Sequence, residues 1–480
     1  MDETMMTLQI DTPATSLRTR LETALDQARR CGAPVLVSAS EPLPWRDPLA
    51  FFAGSSPAGH DRVYWEAPNG ELILVGIGAA RTLTGAGAAR FTTIAAVWRD
   101  LLAHAHCQAP PADLAGLPGV GPTLLGGFAF DPERPGTAAW TGYPDGLMIL
   151  PRFLLTCAAG RTVLTACVVV EAGMDVAVEA ARLEQERACL LATPDRVDAA
   201  PAARPALDVA DILPAGDWQA AVAGVVADIQ AGALEKVVLA REVAVTAETA
   251  LDPVVTLRRL RAGYPDCYVF AVARGPRCFL GATPERLVRL ADGTVHATCL
   301  AGTTRRGADA ATDAQLGADL LASAKNQEEH AVVRRMLAEA LGAVCSDVAV
   351  PAAPALLRLR NVQHLYTPIR GRLRNGTSLL ELVARLHPTP AVGGFPRPAA
   401  LARIRACEGM DRGWYAGPVG WLDARGDGEF AVALRSALVD GPTARAFAGC
   451  GIMGDSRPDD EYAETQVKLQ AVLSALGEIG

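Results

Sequence analysis

The sequence predicts an α+β fold that contains much β-sheet, with its helices grouped in blocks. Strand-like apolar runs such as VLVSA, ELILVGIG and TVLTACVVV alternate with helical stretches and with loops rich in Gly and Pro. No segment repeats with a period of about 20 to 50 residues, which excludes solenoids and propellers. With 480 residues, of which 50% are hydrophobic and 20% charged, the chain can bury a large core.

The N-terminal region contains four strand-like runs, VLVSA, ELILVGIG, LLGGFAF and TVLTACVVV, and loops such as residues 109–122. In the segment LLAHAHC we expect His104 and His106 to lie on a helix. A zinc site is the alternative, but no companion histidine stands at metal-site spacing. The segment Thr193–Pro205, rich in Ala, Pro and Asp, is the best candidate for an internal linker, and it places a boundary between residues 1–205 and 206–480.

The C-terminal region is predicted to begin with a helix and to continue with strands and two long helices. The predicted helices are Trp218–Ala231, Thr312–Leu341 and Pro458–Leu476, and the predicted strands are Lys236–Ala247, Tyr268–Arg274 and Cys278–Leu280. Sheet segments and helices that are grouped in this way are typical of the α+β class.

Composition and charge indicate a soluble, cytoplasmic protein. The formal net charge is −8, and the absence of a basic run argues against nucleic acid as a partner. The first residues, MDETMMTLQIDTP, lack the apolar core of a secretory signal, and stretches such as Val163–Val170 are too short to cross a membrane. The eleven cysteines form no CxxC pair, and small buried thiols in a reducing compartment explain them best.

The chain lacks the GxxxxGK[ST], GxGxxG and GxSxG signatures, so phosphate-loop and hydrolase functions lose their main support. Charged residues inside apolar segments stand out instead. In ALEKVVLAREV, strand alternation places Lys236 on one face with Val238 and Ala240. If that face is covered, burial favours the neutral amine, which can act as a general base. A strand-end lysine with its ammonium in water is the alternative.

Three further features combine charge or glycine with apolar surroundings. Glu285 follows a Thr-Pro turn in FLGATPERLVRL, and by itself this pattern favours an acid in the first turn of a helix. Arg435 lies within the strand-like run FAVALRSALV, where a guanidinium must meet a carboxylate or a ligand anion. In AFAGCGIMG, Gly449 and Gly451 let the backbone approach an anion closely, although tight strand packing would also explain them.

Two predicted helices each present carboxylates along one face, an arrangement that can hold a hard cation through oxygen ligands. The two faces consist of Asn326, Glu329 and Val333 in SAKNQEEHAVVRRML, and of Glu461, Glu464 and Lys468 in the C-terminal helix. Solvated faces with ion pairs between residues four apart are the alternative.

Taken together and in this order, these segments resemble the chorismate-utilising enzymes, which include the anthranilate, aminodeoxychorismate, salicylate and isochorismate synthases. The resemblance rests on LEKVVLARE, GATPERLV, CLAGTTRRG, SAKNQEEH, YTPIRGRL, LHPTPAVGGFPR, GWYAGPVGW, FAVALRSALV and AGCGIMGDSRPDDEYAET, which cover residues from about 215 to 480. Weaker similarity in VYWEAPNGELILVGIGAA and LLGGFAFDP implies that residues 1–205 form a divergent half of the same fold. That fold, shared with anthranilate synthase component I, has two stacked, mostly antiparallel sheets surrounded by helices. Residues 206–480 would form its chorismate-binding catalytic region.

The resemblance also implies roles for the matching residues. Glu329 and Glu464 would bind Mg²⁺ directly, and Glu461 would bind it through water. Relatives often carry an acid one turn before Glu329, where this chain has Asn326, a change that would loosen Mg²⁺ without abolishing its binding. The enolpyruvyl carboxylate would be bound by Arg435, Tyr415 and the Gly449 amide, the metal-bound ring carboxylate would lie near Gly302, Thr303 and Lys468, and the ring would be lined by His387 and Ala391.

Within the family, three positions favour an isochorismate synthase. Amine-adding relatives typically have glutamine at the position of Lys236, whereas a lysine suits activation of water. The nucleophilic lysine of aminodeoxychorismate synthases is replaced by Ala301 in CLAGTT, and the threonine usual in salicylate synthases is replaced by Ala391. The implied reaction has Lys236 as the general base that activates water for attack at C2, and Glu285 as the acid that protonates the departing C4 hydroxyl.

Two other functions stay open from the sequence. A salicylate synthase would form isochorismate and then eliminate pyruvate, and a non-catalytic subunit would use the fold to bind a partner such as a glutaminase. The complete set of predicted catalytic residues argues against the second, so we expect no glutaminase subunit. Whether the protein is a monomer or a homodimer, and whether it serves menaquinone or siderophore biosynthesis, the sequence does not reveal.

Overall fold

The computed structural model describes residues 9–11, 17–54, 61–134, 136–192, 204–358, 362–374 and 376–479. Within these residues the chain forms eleven α-helices. They are α1 (Leu17–Cys31), α2 (Pro48–Ala53), α3 (Arg90–Ala103), α4 (Val176–Ala192), α5 (Ala215–Gln230), α6 (Pro253–Gly263), α7 (Ala310–Ala322), α8 (Ala324–Gly342), α9 (Leu379–Leu386), α10 (Arg397–Cys407) and α11 (Pro458–Leu476).

The same residues contain 23 β-strands. They are β1 (Gln9–Asp11), β2 (Val35–Leu43), β3 (Arg62–Glu66), β4 (Leu72–Gly85), β5 (His106–Gln108), β6 (Thr123–Phe128), β7 (Gly146–Ala158), β8 (Arg161–Val170), β9 (Ala206–Asp211), β10 (Lys236–Ala247), β11 (Tyr268–Arg274), β12 (Arg277–Thr283), β13 (Arg286–Ala291), β14 (Thr294–Arg305), β15 (Cys345–Ala349), β16 (Ala355–Arg358), β17 (Val362–Leu373), β18 (Gly394–Phe395), β19 (Pro418–Asp423), β20 (Gly428–Val432), β21 (Ser436–Asp440), β22 (Thr443–Ile452) and β23 (Glu478–Ile479).

The strands are linked by hydrogen bonds into one continuous, mostly antiparallel network. Strands of the N-terminal region pair directly with strands of the C-terminal region, as β3 does with β11 and β6 with β19. The long strands β4 and β7 pair along most of their length and carry a β-bulge between Ala79 and Arg81. Residues before and after the predicted boundary therefore build one sheet system together. The predicted linker Thr193–Pro205 lies outside the described residues, apart from its last two.

Apolar side chains cover both faces of this network. Along β11, Phe270 belongs to one hydrophobic cluster and its neighbour Val269 to the other, as strand alternation requires. The first cluster also contains Leu125 of β6 and Phe430 of β20, so strands from distant parts of the network enclose it. The second cluster lies under helices α1, α2, α6 and α11. The predicted α+β fold, with layers of mostly antiparallel sheet surrounded by helices, is confirmed, and hydrogen bonds join the layers.

The predicted elements agree well where one pattern runs unbroken. The strands Lys236–Ala247 and Tyr268–Arg274 and the helix Pro458–Leu476 have the predicted bounds. The predicted helix Thr312–Leu341 is wrong in one respect, because Ser323 divides it into α7 and α8. Ser323 is extended, at φ −71° and ψ 112°, and its hydroxyl accepts a hydrogen bond from the Asn326 amide, which caps the second helix.

Three other local predictions are also wrong. Helix α3 ends at Ala103, and His106 lies in β5, where its Nε2 contacts Gln27. The run FAVALRSALV is not one strand, since residues 433–435 separate β20 from β21. Not all thiols are buried: Cys31 and Cys189 are exposed, although all eleven cysteines are free. No helix in the described part of the chain is long and apolar enough to cross a membrane.

Candidate active site

A cavity of about 240 Å³ opens where β10, β14, β22, α8 and α11 meet. Eleven of the thirteen residues that sequence analysis assigned to the site line it. They are Glu285, Gly302, Thr303, Glu329, Ala391, Tyr415, Arg435, Gly449, Glu461, Glu464 and Lys468. The other two, Lys236 and His387, lie behind its wall. Residues from eight separate segments of the C-terminal region are thus brought to one place.

Lys236 begins β10, and its side chain is 1% exposed. Its Nζ donates to Glu329 Oε1 at 2.7 Å, across from strand to helix α8. Gly451, on the neighbouring strand β22, leaves room for this pair, because a Cβ there would lie 2.9 Å from both Glu329 Oε1 and Lys236 Cε. The predicted covered face exists, but it includes a carboxylate as well as small apolar groups. A buried ammonium needs such a partner, since an isolated charge in the interior is strongly destabilising.

Glu285 lies between β12 and β13 and not in the first turn of a helix, so that interpretation of its sequence is wrong. A β-bulge between Arg286 and Val288 follows it directly and interrupts the pairing with β20. The side chain is buried, and within the described residues its carboxyl group forms neither a hydrogen bond nor an ion pair. Burial raises the pKa of Glu285 from 4.5 to about 7, against the opposing charges of Lys236 and Lys468. The group can therefore hold a proton near neutrality.

The two predicted carboxylate faces meet at the cavity. Glu329 of α8 accepts from Lys236, whereas Glu464 of α11 pairs with Lys468 at 2.7 Å. Glu461 accepts from the Ser456 hydroxyl at 2.6 Å. Burial and the neighbouring Glu464 raise the pKa of Glu461. Burial acts to raise the pKa of Glu464, but the charge and hydrogen bond of Lys468, together with the charges of Lys325 and Lys236, hold that pKa below its ordinary value.

Glu329, Glu461 and Glu464 have the oxygen donors that a divalent cation needs, but their side chains are not gathered around a single point. In the part of the chain that the structure describes, no three His, Cys, Asp or Glu side chains are gathered closely enough to hold a metal ion. Glu329, Glu461 and Glu464 nevertheless line the same cavity, and their donors are all oxygen, the ligand type that Mg²⁺ prefers. Glu329 and Glu464 each pair with a lysine, and Glu461 accepts from a hydroxyl group. A cation would have to replace these partners.

Several other residues that line the cavity can donate hydrogen bonds to a carboxylate. Arg435 and Ala416 both have left-handed backbone conformations, at φ 49° and 59°, which are uncommon for residues with a Cβ. Tyr415 stacks on Phe447, with ring centroids 5.2 Å apart, and its hydroxyl lies near Gly449. Lys468 donates to the Gly449 carbonyl at 2.9 Å. Arg435, Tyr415 and Lys468 thus supply a guanidinium, a hydroxyl and an ammonium to one cavity, and such groups can bind an anion.

Gly302 and Thr303 lie at a β-bulge in β14, where the pairing with β17 shifts between Leu300 and Thr303. Gly302 has φ +82°, and a Cβ at this position would come within 3.2 Å of Asn326. A glycine is therefore required for the close approach of strand and helix. Thr303 Oγ1 contacts Nδ1 of His364 at 2.9 Å.

His364 lines the cavity but was missed by sequence analysis. Burial, together with the charges of Arg435 and Lys468, lowers its pKa from 6.5 to about 3, so the imidazole is neutral. Within the described residues its Nε2 has no hydrogen-bond partner. A lone histidine on a strand gives no pattern in the sequence, and only the pairing of β14 with β17 brings it beside Thr303.

His387 and Ala391 belong to one segment but occupy different places. Ala391 lines the cavity, as expected. His387 does not: it is buried beyond the wall, where its ring packs edge-on against Phe130 and its Nε2 lies 3.4 Å from the Phe130 carbonyl. The structure therefore places His387 outside the residues that line the cavity, at the C-cap of helix α9. The predicted contact with the substrate ring stays a prediction.

A buried ion pair, also missed, joins three of these segments. Arg412 binds Glu408, and it donates to the carbonyls of Val392 and Val238 at 2.8 Å each. Glu408 in turn accepts from the Ala240 amide at 2.7 Å. The pair therefore satisfies backbone groups of β10 just beyond Lys236, where a neighbouring strand would otherwise bind them. Through Val392 it also links β10 to the segment that carries Ala391.

The chain matches the family model described as chorismate binding enzyme over residues 23–477. It is 41% identical over 465 residues to the salicylate biosynthesis isochorismate synthase of Pseudomonas aeruginosa, covering 97% of this chain and 95% of that protein. It is 38% identical over 460 residues to isochorismate synthase MenF of Bacillus subtilis, covering 95% and 96%. The solved structure of MenF, the menaquinone-specific isochorismate synthase from Escherichia coli, has a TM-score of 0.77 and 28% identity, with 95% of this chain and 99% of that chain covered.

Proposed function

Since this chain belongs to the chorismate-binding enzymes, we propose that it is an isochorismate synthase, which converts chorismate to isochorismate. The observation that carries the proposal is the placement of Lys236 and Glu285. Glu285 lines the cavity, and Lys236 is buried beside it in contact with Glu329, while three carboxylates and Arg435 line the same cavity. A cavity that combines acidic and cationic groups suits a small dianion that reacts through proton transfers.

The proposed reaction exchanges one hydroxyl group for another. Water loses a proton to Nζ of Lys236 while its oxygen bonds to ring C2. The ring double bonds shift, the bond between C4 and its hydroxyl breaks, and the hydroxyl leaves as water with the proton of Glu285. One water molecule is consumed and one is released, so substrate and product are isomers. The raised pKa of Glu285 supports its role as the acid.

We propose that Glu329, Glu461 and Glu464 bind Mg²⁺, on the basis of their oxygen donors and their shared cavity. When bound, the ion would supply positive charge at the ring carboxylate and near the reacting carbons. Asn326, which hydrogen-bonds to Ser323 through its side chain, would contribute no charge to the site. The protein's own groups would bind the substrate beside it: Arg435 and Tyr415 hold the enolpyruvyl carboxylate, and Lys468 lies near the ring carboxylate.

The same reasoning selects this member of the family over its relatives. Lys236 is suited to the activation of water as the nucleophile. Ala301 lines the cavity and cannot form a covalent intermediate with the substrate, as a lysine at this position would. Ala391 favours release of isochorismate over elimination of pyruvate. We further propose a cytoplasmic enzyme that needs no glutaminase subunit. The names of its relatives include both salicylate biosynthesis and menaquinone, so the fate of the product is an open choice between those two uses.

Incubation of the purified protein with chorismate and Mg²⁺, followed by chromatography, tests this function. We expect isochorismate as the product, with formation lost when Mg²⁺ is chelated. Salicylate and pyruvate from the same incubation would instead identify a salicylate synthase. Failure to convert chorismate with water, ammonia or glutamine would contradict any catalytic function and favour a binding subunit.

A further inference from the structure

Lysine is rare in this chain, and its distribution is uneven. Of the 45 basic residues, 42 are arginines and only three are lysines, namely Lys236, Lys325 and Lys468. At exposed positions either residue serves as a solvated charge, and this chain uses arginine there. All three lysines contact the cavity of the proposed active site or the acids in its wall. The few lysines of the chain therefore coincide with the acids of the proposed site.

Each lysine lies beside a different one of the three glutamates proposed to bind Mg²⁺. Lys236 pairs with Glu329 and Lys468 with Glu464, both at 2.7 Å. Lys325 lies at the rim of the cavity, with its side chain 38% exposed. Its Nζ is 3.8 Å from Glu461 and also 3.8 Å from Asp455, in the loop that leads into α11.

We propose that the lysines are exchangeable counter-ions, which balance the three glutamates until a divalent cation takes their place. Lys325 then acts on the cation site through Glu461 and is a positioning residue. The proposed reaction itself gives Lys325 no role. This inference rests on the proposed function, because it takes Glu461 as part of that site.

The chemistry of the two basic side chains explains why lysine is required. The ammonium of Lys325 is a strongly hydrated point charge on a flexible stem at the rim of the cavity, so it can withdraw into water when a cation arrives. A guanidinium presents a planar fork that binds two carboxylate oxygens at once, and it would stay in place. At the rim, an arginine could bridge Glu461 and Asp455 and compete permanently with the cation.

Two substitutions of Lys325 are expected to change cation binding in opposite directions. Lys325→Met removes the competitor and lowers the Kd for Mg²⁺, and Lys325→Arg strengthens the competitor and raises it. We expect a change of about two- to fivefold each way, the range of a partly exposed ion pair. Arg457→Met is the matched control, because it removes one positive charge from the same loop, 78% exposed and paired only weakly with Asp460.

Calorimetric titration of the protein with MgCl₂ in the absence of chorismate measures these values without reference to catalysis. Opposite shifts for the two Lys325 variants, with the Arg457 variant close to wild type, support the proposal. Overlapping titrations for Lys325→Arg and wild type would overturn it, since simple electrostatics also predicts no change when the charge is kept. If Lys325→Arg does not fold, an unchanged Kd for Lys325→Met overturns the proposal equally.

The outcome is separable from that of the proposed function. A wild-type protein that binds Mg²⁺ with the expected variant shifts, but forms no isochorismate, would refute the function and retain the lysine exchange. Isochorismate formation with overlapping titrations would do the reverse. A wild-type protein that takes up no Mg²⁺ would refute the exchange and the cation site together.

Discussion

Lys236 and Glu285 are both buried, the acid in the cavity wall and the lysine just behind it, yet their surroundings differ in one decisive respect. The lysine is 2.7 Å from the carboxylate of Glu329, whereas Glu285 has no ion pair or hydrogen bond within the described residues. Removal from water disfavours the charged form of both groups. The lysine has a carboxylate in direct contact, whereas Glu285 has, among the described residues, only the more distant charges of Lys236 and Lys468. The interior of this described part thus holds a paired amine and an unpaired acid, and burial raises the pKa of that acid to about 7.

This difference shows which of the two groups is ready to react. With its pKa of about 7, Glu285 can carry near neutrality the proton that the proposed reaction transfers to the leaving hydroxyl. Lys236 can accept a proton from water only as the neutral amine, so it must be released from Glu329 and must also give up one proton of its own. Exchange of Glu329 from the lysine to a cation would provide that release, and it connects the two ends of the cavity.

The largest effect on the rate is expected when Lys236, the group paired with Glu329, is replaced. Lys236→Ala deletes the proposed base and should lower the rate of isochorismate formation by ~100- to 10,000-fold, the usual contribution of a positioned general base. The measurement is the initial rate by chromatography at saturating Mg²⁺. Chorismate should still raise the melting temperature of the variant, which controls for binding. Undiminished formation of isochorismate would show that Lys236 is not the base.

Because the buried Glu285 has no partner among the described residues, we expect the protein to become more stable when this side chain is replaced by a neutral one. The folded-state pKa of Glu285, about 7, lies above the ordinary 4.5, so the folded protein is most stable where Glu285 is protonated and loses stability as the pH rises from about 4.5 to 7. Glu285→Gln should therefore raise the free energy of unfolding at pH 8 by about 3 kcal/mol, and by little at pH 4.

Urea unfolding at the two pH values measures this difference. Glu408→Gln is the matched control, because Glu408 is equally buried but paired with Arg412, and its substitution should destabilise the protein. Equal effects of Glu285→Gln at pH 4 and pH 8 would mean that Glu285 is already ionised in the folded protein at low pH.

The raised pKa of Glu285 also determines how kcat/KM depends on pH on the alkaline side. The acid must be protonated, so kcat/KM for chorismate should fall as the pH rises above about 7, by about tenfold for each further pH unit. Initial rates between pH 6 and 9 check this, with the protein's melting temperature as a control for unfolding. A profile that stays level up to pH 9 would remove Glu285 from the proton transfer.

The smallest effect concerns the second lysine–glutamate pair. Glu464→Gln removes one proposed Mg²⁺ ligand together with the partner of Lys468, and should raise the Kd for Mg²⁺ by about tenfold, the lower end of losses seen when metal sites are perturbed. Asp460→Asn is the control, since Asp460 is on the same helix but 71% exposed. Metal titrations of Glu464→Gln and wild type that overlay would make the ligand assignment wrong.

Local sequence patterns predicted the elements that carry the site. Strict alternation placed the start of β10 at Lys236, and helical spacing placed Glu461, Glu464 and Lys468 on one face of α11. The resemblance to the family then brought together residues that no local pattern connects. The i, i+4 pair Glu464–Lys468 was visible in this way, because both partners lie in one helix.

Features that depend on backbone irregularity were not predictable. The left-handed Arg435 interrupts a run that reads as one strand, and the extended Ser323 interrupts a run that reads as one helix. At Arg435 the carbonyl accepts from the Ala282 amide of a distant strand, a contact that sequence periodicity does not record. At Ser323 the hydroxyl caps the next helix, so a local hydrogen bond divides the helical run.

By itself, the sequence determined the fold class and the helix faces, because these follow from the spacing of apolar and polar residues along the chain. Its resemblance to the family implied which charged groups the site contains. Only the tertiary structure decided which charges meet. Lys236 pairs with a glutamate 93 positions away, His364 joins the cavity through strand pairing, and Glu285 is left without a partner. The physical reason is that desolvation and Coulomb interactions act through space, so the state of a buried group depends on neighbours from remote parts of the chain.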